Sequence, residues 1–144
     1  MKKFLLLLFL CPLFSLVSTA QEQEPWTPEE LISTKTLADK INQEDNTLKI
    51  FSIGFDNIIK GSVDIGPGGE EENLNKLKES LKDIPKTETV IIYCGCCPFA
   101  QCPNIRPAFQ LLKDLGYENP KLVDIPSNIK VDWLDKNYPV NEDL

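Results

Sequence analysis

The sequence predicts an α/β domain in which a mostly parallel sheet is covered by helices on both faces. Three observations carry that prediction. Strand-like runs alternate with amphipathic helical patterns from residue 32 to residue 136, the mark of strand–helix–strand units. Thr89-Val90-Ile91-Ile92-Tyr93 is an unbroken β-branched and aromatic run, as expected of a strand buried on both faces. Breakers such as Gly66-Pro67-Gly68-Gly69 fall between the periodic segments and not inside them.

Taken in order, residues 21–28 are polar and read as a flexible leader, with Trp26 available to pack back on a domain spanning 29–144. Ile32-Ser33-Thr34 reads as a short edge strand or turn. Thr34 is placed to cap a helix over residues 35–42, whose Leu37, Ala38 and Ile41 share one face. Residues 48–53 form a strand ended by Gly54, and residues 55–60 read as a short helical turn. A short strand over 61–65 precedes the glycine cluster. That cluster is no phosphate loop: it lacks a Gly-Lys-Ser/Thr ending, and Glu70-Glu71-Glu72 follow it. Those glutamates suit the positive end of a helix over 71–82 that buries Leu74, Leu77 and Leu81. After the 89–93 strand, a helix over 104–115 packs Ala108, Phe109, Leu112 and Leu115. Pro103 and Pro107 are tolerated near its start, and Gly116 closes it. Residues 121–125 are the last strand. A short helix over 129–136 carries Trp133, and Tyr138-Pro139-Val140 completes the domain.

Composition narrows the chemistry. The 144-residue chain has 22 acidic against 15 basic residues, a net charge of −7 and no histidine. An acidic surface disfavours nucleic acid and anionic membranes as partners. Without histidine, Ser-His-Asp catalysis, Cys-His catalysis and histidine-containing zinc sites are excluded. The first twenty residues read as an export signal: basic Met1-Lys2-Lys3, an apolar stretch over 4–17, and Ser18-Thr19-Ala20 as a cleavage site. The apolar stretch is short for a membrane span and a polar segment follows it at once. Cys11 sits after bulky Leu10, unlike a lipid-modified cysteine, and is read as part of the discarded signal. The expected location is periplasmic or secreted, with no membrane attachment after cleavage. The basic start and the absence of Asn-x-Ser/Thr sequons fit a bacterial exported protein.

The remaining four cysteines crowd into Tyr93-Cys94-Gly95-Cys96-Cys97-Pro98-Phe99-Ala100-Gln101-Cys102-Pro103-Asn104-Ile105-Arg106. They lie between the end of the buried strand and the start of a helix. In parallel sheets this is where sites form, and helix-start N–H groups favour a thiolate there. Three chemistries are open to the loop. Cys94 is placed as a nucleophile, with Gly95, Cys96, Cys97, Pro98 and Phe99 wrapping it and Arg106 supplying a positive charge. Alternatively, Cys94, Cys96, Cys97 and Cys102 bind zinc or copper(I), although all four ligands come from one short loop. Or Cys96 or Cys97 bridges to Cys102, a disulfide that export permits; adjacent Cys96 and Cys97 pair poorly with each other. A nearby thiol also qualifies to resolve an oxidised Cys94.

The chain resembles single-domain rhodanese-like proteins. The likeness lies in Val90-Ile91-Ile92-Tyr93-Cys94, in the helix end Leu111-Leu112-Lys113-Asp114-Leu115-Gly116-Tyr117, in Lys60-Gly61-Ser62-Val63, and in Trp133 followed by Asn137-Tyr138-Pro139-Val140. It implies a three-layer α/β fold and sulfur transfer through a persulfide on Cys94, cradled by backbone N–H groups from Gly95 to about Phe99. The implied partners are a small sulfur donor and a thiol acceptor, with no cofactor. The family's Asp-x-Arg stands here as Ser52-Ile53-Gly54 and its histidine as Ser62. A thiol–disulfide redox role, metal binding and a catalytically silent domain with a stapled loop therefore stay beside sulfur transfer as readings.

Overall fold

The computed structural model describes residues 24–142; the export segment read over 1–20 lies outside them. Five strands form one sheet: β1 (Leu31–Ser33), β2 (Lys49–Ser52), β3 (Ser62–Asp64), β4 (Thr89–Tyr93) and β5 (Asn119–Asp124), in the order β1-β5-β4-β2-β3. Every pairing is parallel. The helices are α1 (Thr34–Asn42), α2 (Glu71–Leu81), α3 (Ile105–Asp114) and α4 (Ile129–Asp132). The result is the three-layer α/β fold that the rhodanese-like resemblance implies. Among the described residues no helix is long and apolar enough to cross a membrane.

The central strand explains the layers. Side chains alternate along β4. Val90, Ile92 and then Cys94 face one core with Leu77 and Leu81 of α2 and Ala108, Phe109 and Leu112 of α3. Ile91 and Tyr93 face the other with Leu37 and Ala38 of α1 and Ile129 and Trp133 beyond β5. All of β4 from Val90 onward is fully buried, in keeping with its unbroken apolar sequence. Cys94 thus leaves the sheet pointing into the layer occupied by α2 and α3.

Several boundaries differ from the sequence reading, each for a physical reason. The cap of α1 is Ser33, not Thr34: the Ser33 hydroxyl accepts the Thr36 N–H at 3.1 Å. Residues 55–60 are not helical. The buried Tyr93 hydroxyl accepts the N–H groups of Ile58 and Ile59 at 3.0 and 3.2 Å, and Ser62 Oγ lies 3.1 Å from it. A side chain from β4 thereby satisfies donors that a helical turn would have left to its own backbone. β5 begins at Asn119, earlier than residue 121, and pairs Pro120 opposite Val90. The helix expected over 129–136 is two pieces, α4 and a 3-10 turn Leu134–Lys136, broken at Trp133. The Trp133 indole N–H donates to the Pro139 carbonyl at 2.9 Å and its ring meets Tyr138 edge-on. That contact folds the closing segment back so that Val140 bridges Ile59.

The segment upstream of β1 is packed from Glu24 onward. Trp26 lies against Phe99 and Phe109, with ring centroids 6.1 and 5.9 Å away. A 3-10 turn, Pro28–Glu30, leads into β1; the Thr27 N–H donates to the Glu30 carboxylate at 2.7 Å and the Glu30 N–H to the Thr27 carbonyl at 3.0 Å.

A candidate thiolate site at the end of the central strand

β2 and β4 end side by side. Ser52 is in register with Tyr93, and the Ile53 N–H extends the ladder to the Tyr93 carbonyl at 2.9 Å. The next residues are Gly54 on one chain segment and Cys94 on the other. A Cβ on Gly54 would stand 3.1 Å from Cys94 Sγ, so the absence of a side chain there leaves the sulfur its room. Gly95 is pressed equally hard from the other side: a Cβ on it would come within 2.7 Å of Ile129 Cβ, and its carbonyl accepts the Ile129 N–H at 2.9 Å. The chain can turn between strand and loop here only because two glycines flank the thiol.

Four of the sequence-predicted residues, the cysteines, come together. Cys94 Sγ is 3.4 Å from Cys96 Sγ, which is 3.3 Å from Cys97 Sγ. The sulfurs of Cys94, Cys96 and Cys102 all lie within 4.8 Å of one another. The four stand as free thiols, with Cys94 and Cys102 buried, Cys97 half-buried and Cys96 exposed. The Cys102 bridge expected as one reading of the loop is therefore not formed in this structure.

The donors around Cys94 pull its thiol down from the ordinary 9.0 to about 5. The Cys102 thiol contributes most, followed by the Cys96 N–H, the Asn104 side-chain amide and the Cys96 thiol; burial opposes them and loses. The neighbours shift the other way because they give their protons to this charge. Cys96, though exposed, is pushed up to about 12 by partial desolvation of its sulfur and by its contacts with Cys97 and Cys94. Cys102 is pushed up by its bond to Cys94 and by burial. One negative charge is thus localised on Cys94, and the surrounding thiols act as proton donors to it.

Asn104 is the site residue that the sequence reading missed. It occupies the cap position of α3, yet its side chain makes no cap hydrogen bond. Its Oδ1 accepts the Gly69 N–H at 3.1 Å and its Nδ2 points to Cys94 Sγ at 3.7 Å. The glycine cluster supplies the fixed end of this clamp. Gly68 sits so close that a Cβ on it would meet the Asn104 carbonyl at 2.6 Å. The stretch 66–69, which resembles no phosphate loop, here holds a thiolate's hydrogen-bond donor in place.

Two expected contributors lie elsewhere. The Phe99 N–H donates to the Ile125 carbonyl at 3.0 Å, and Pro98 has no N–H to give; the backbone N–H that bonds the Cys94 sulfur is that of Cys96. The Arg106 guanidinium bonds Glu24 at 2.6 Å and the Ala100 carbonyl at 2.9 Å, over the face of Trp26. None of these partners belongs to the thiol cluster. Residues 94–102 contain no lysine or arginine.

Comparison with known proteins places the fold. The chain is similar to the BH2092 protein from Bacillus halodurans, with 19% identity over 78% of this chain and 77% of that one and a TM-score of 0.60. It is also similar to a Lactobacillus plantarum protein, with 12% identity over 78% and 88% and a TM-score of 0.58. A third likeness is to a Rhodopseudomonas palustris protein of unknown function described as a possible tyrosine phosphatase, with 12% identity over 78% and 84% and a TM-score of 0.53. No protein-family model matches the chain, and no curated protein does.

Proposed function

We propose that this protein transfers a sulfane sulfur through a persulfide on Cys94. The observation that carries the reading is a buried thiolate at the carboxyl end of the central strand, held near pKa 5 by neutral donors. It is ionised at neutral pH without a histidine. In the first step Cys94 Sγ attacks the sulfane sulfur of a donor. A Cys94 S–S bond forms, and the donor leaves with the electron pair of the bond it loses. In the second step an acceptor nucleophile takes the outer sulfur, and Cys94 departs as a thiolate. A thiol of low pKa is the better leaving group, so the donors that activate Cys94 for the first step also release it in the second.

A phosphate-ester substrate is poorly supported. A dianion needs fixed positive charge, the loop carries none, and Arg106 is engaged with Glu24. Thiophilic metal binding has one specific observation in its favour, the three sulfurs within 4.8 Å. Such a set suits copper(I), while zinc would call on Cys97 as a fourth ligand.

The discriminating experiment uses intact mass spectrometry, native and denatured, with the wild type and Cys94→Ser after exposure to a sulfane donor. Sulfur transfer predicts a reductant-sensitive gain of about 32 Da on Cys94, one sulfur atom. It also predicts that Cys94→Ser loses turnover by about a thousandfold or more, the usual scale for a removed nucleophile. Wild-type turnover in Cys94→Ser would refute it. A metal adduct seen only under native conditions, and weakened in the same variant, would favour the binding module.

A further inference from the structure

We propose that Cys96 is the exit thiol of this site: it takes the sulfane sulfur from the Cys94 persulfide and presents it at the surface, where acceptors too bulky to reach Cys94 collect it. The inference rests on the sulfur-transfer reading and adds to it the route by which sulfur leaves.

Burial poses the problem that Cys96 solves. Cys94 is only 1% exposed. It is closed in by Gly54 on one side, by Asn104 and Cys102 on another, and by the Gly95 turn packed on Ile129. A two-atom nucleophile such as cyanide needs a far smaller opening to reach Cys94 than a peptide thiol does. Cys96 is exposed, and its sulfur is 3.4 Å from that of Cys94. The alternatives are less suited. Cys102 is fully buried, so sulfur passed to it would stay inside. Cys97 is half-buried, and its sulfur contact is with Cys96.

The step balances without an outside oxidant or reductant. Cys96 Sγ bonds the outer sulfur of the Cys94 persulfide, and the bond between that sulfur and Cys94 Sγ breaks. Its electron pair stays on Cys94, which returns to the thiolate, and the proton that Cys96 gives up goes to the transferred outer sulfur, now the end of the Cys96 persulfide. In-line attack places the two cysteine sulfurs about two S–S bond lengths apart, about 4 Å. Cys96 reaches that separation by a small outward rotation of an exposed side chain. Exchange of this kind favours release of the more acidic thiol. Cys94, whose sulfur faces the Asn104 amide at 3.7 Å and the Cys96 thiol at 3.4 Å, is the better leaving group, which sets the direction outward.

The test loads the reduced full-length protein with inorganic polysulfide, quenches with iodoacetamide at successive times, and localises the extra sulfur by peptide fragmentation. Turnover is then measured with cyanide as a small acceptor and glutathione as a bulky one, in wild type, Cys96→Ser and Cys94→Ser. The expected result is sulfur on Cys94 first and Cys96 second. In Cys96→Ser the glutathione-to-cyanide rate ratio should fall at least about tenfold, because only the bulky acceptor depends on the exit thiol. Sulfur confined to Cys94, with that ratio within about twofold of wild type in Cys96→Ser, would overturn the exit role and leave Cys94 chemistry standing. Failure to load the wild type, or wild-type turnover in Cys94→Ser, would overturn both.

Discussion

At Cys94 a single negative charge is stabilised by neutral groups alone, so each one should be visible in the titration of the thiol. Asn104 is the cleanest to remove, since its amide bonds the sulfur and the Gly69 N–H and nothing else. In wild type the rate of Cys94 alkylation should fall as pH drops through about 5, where the thiolate takes up its proton. Asn104→Ala should move that inflection upward by about half to one unit, because the variant loses a hydrogen bond to the charged form. A stopped-flow iodoacetamide profile checks this, and an unmoved inflection would remove Asn104 from the site. The position of Cys94 at the end of β4 was legible in the sequence because an apolar run and the local order of residues sufficed to place it. Asn104 was not, because it reads as the first residue of an ordinary helix and its partner Gly69 lies 35 residues away. Arg106 misled for the same reason in reverse. Proximity along the chain put it near the thiols, while Glu24, 82 residues upstream, determines where its charge goes.

At the level of elements, the site depends on how closely β4 and α4 approach through Gly95. Gly95→Ala would force its new methyl against Ile129, and the lost fit should cost about 1–3 kcal/mol, the usual range for overpacking a tight contact. Urea denaturation under reducing conditions reads this directly, and a change below about 0.5 kcal/mol would show that α4 yields freely. The order and type of strands and helices followed from periodicity, and β4 was placed residue for residue. What periodicity missed were events decided by a distant side chain. The donors of Ile58 and Ile59 go to the Tyr93 hydroxyl instead of a helical turn, and the Trp133 indole draws the chain out of α4 toward Pro139. The Ser33 cap was missed by one position. Ser33 and Thr34 are both good caps, and only the sheet pairing of Ser33 with Asp124 decides where β1 stops and α1 starts.

On the scale of the molecule, the segment from Glu24 to Glu30 buttresses the far side of the cysteine loop. Trp26 packs on Phe99, Glu24 pairs with Arg106, and Lys113 of α3 reaches back to the Pro25 carbonyl and to Glu30. This strap also neutralises the one arginine beside the loop, and the chain as a whole carries a charge of −7. The setting differs from that of a site that attracts anions. A negatively charged donor such as thiosulfate must approach an acidic body with no local cation in the loop to guide it. Repulsion of this sort is long-ranged in dilute buffer and fades as the Debye length shrinks from about 30 Å at 0.01 M salt to about 3 Å at 1 M. The second-order rate of Cys94 loading by thiosulfate should therefore rise several-fold across that range, while loading by dimethyl trisulfide, an uncharged donor of similar size, stays flat. If both rates are flat, the field at the loop is weaker than the net charge implies. The neutrality of the thiolate's surroundings thus makes this a site that background electrolyte speeds up, the reverse of an electrostatically steered enzyme.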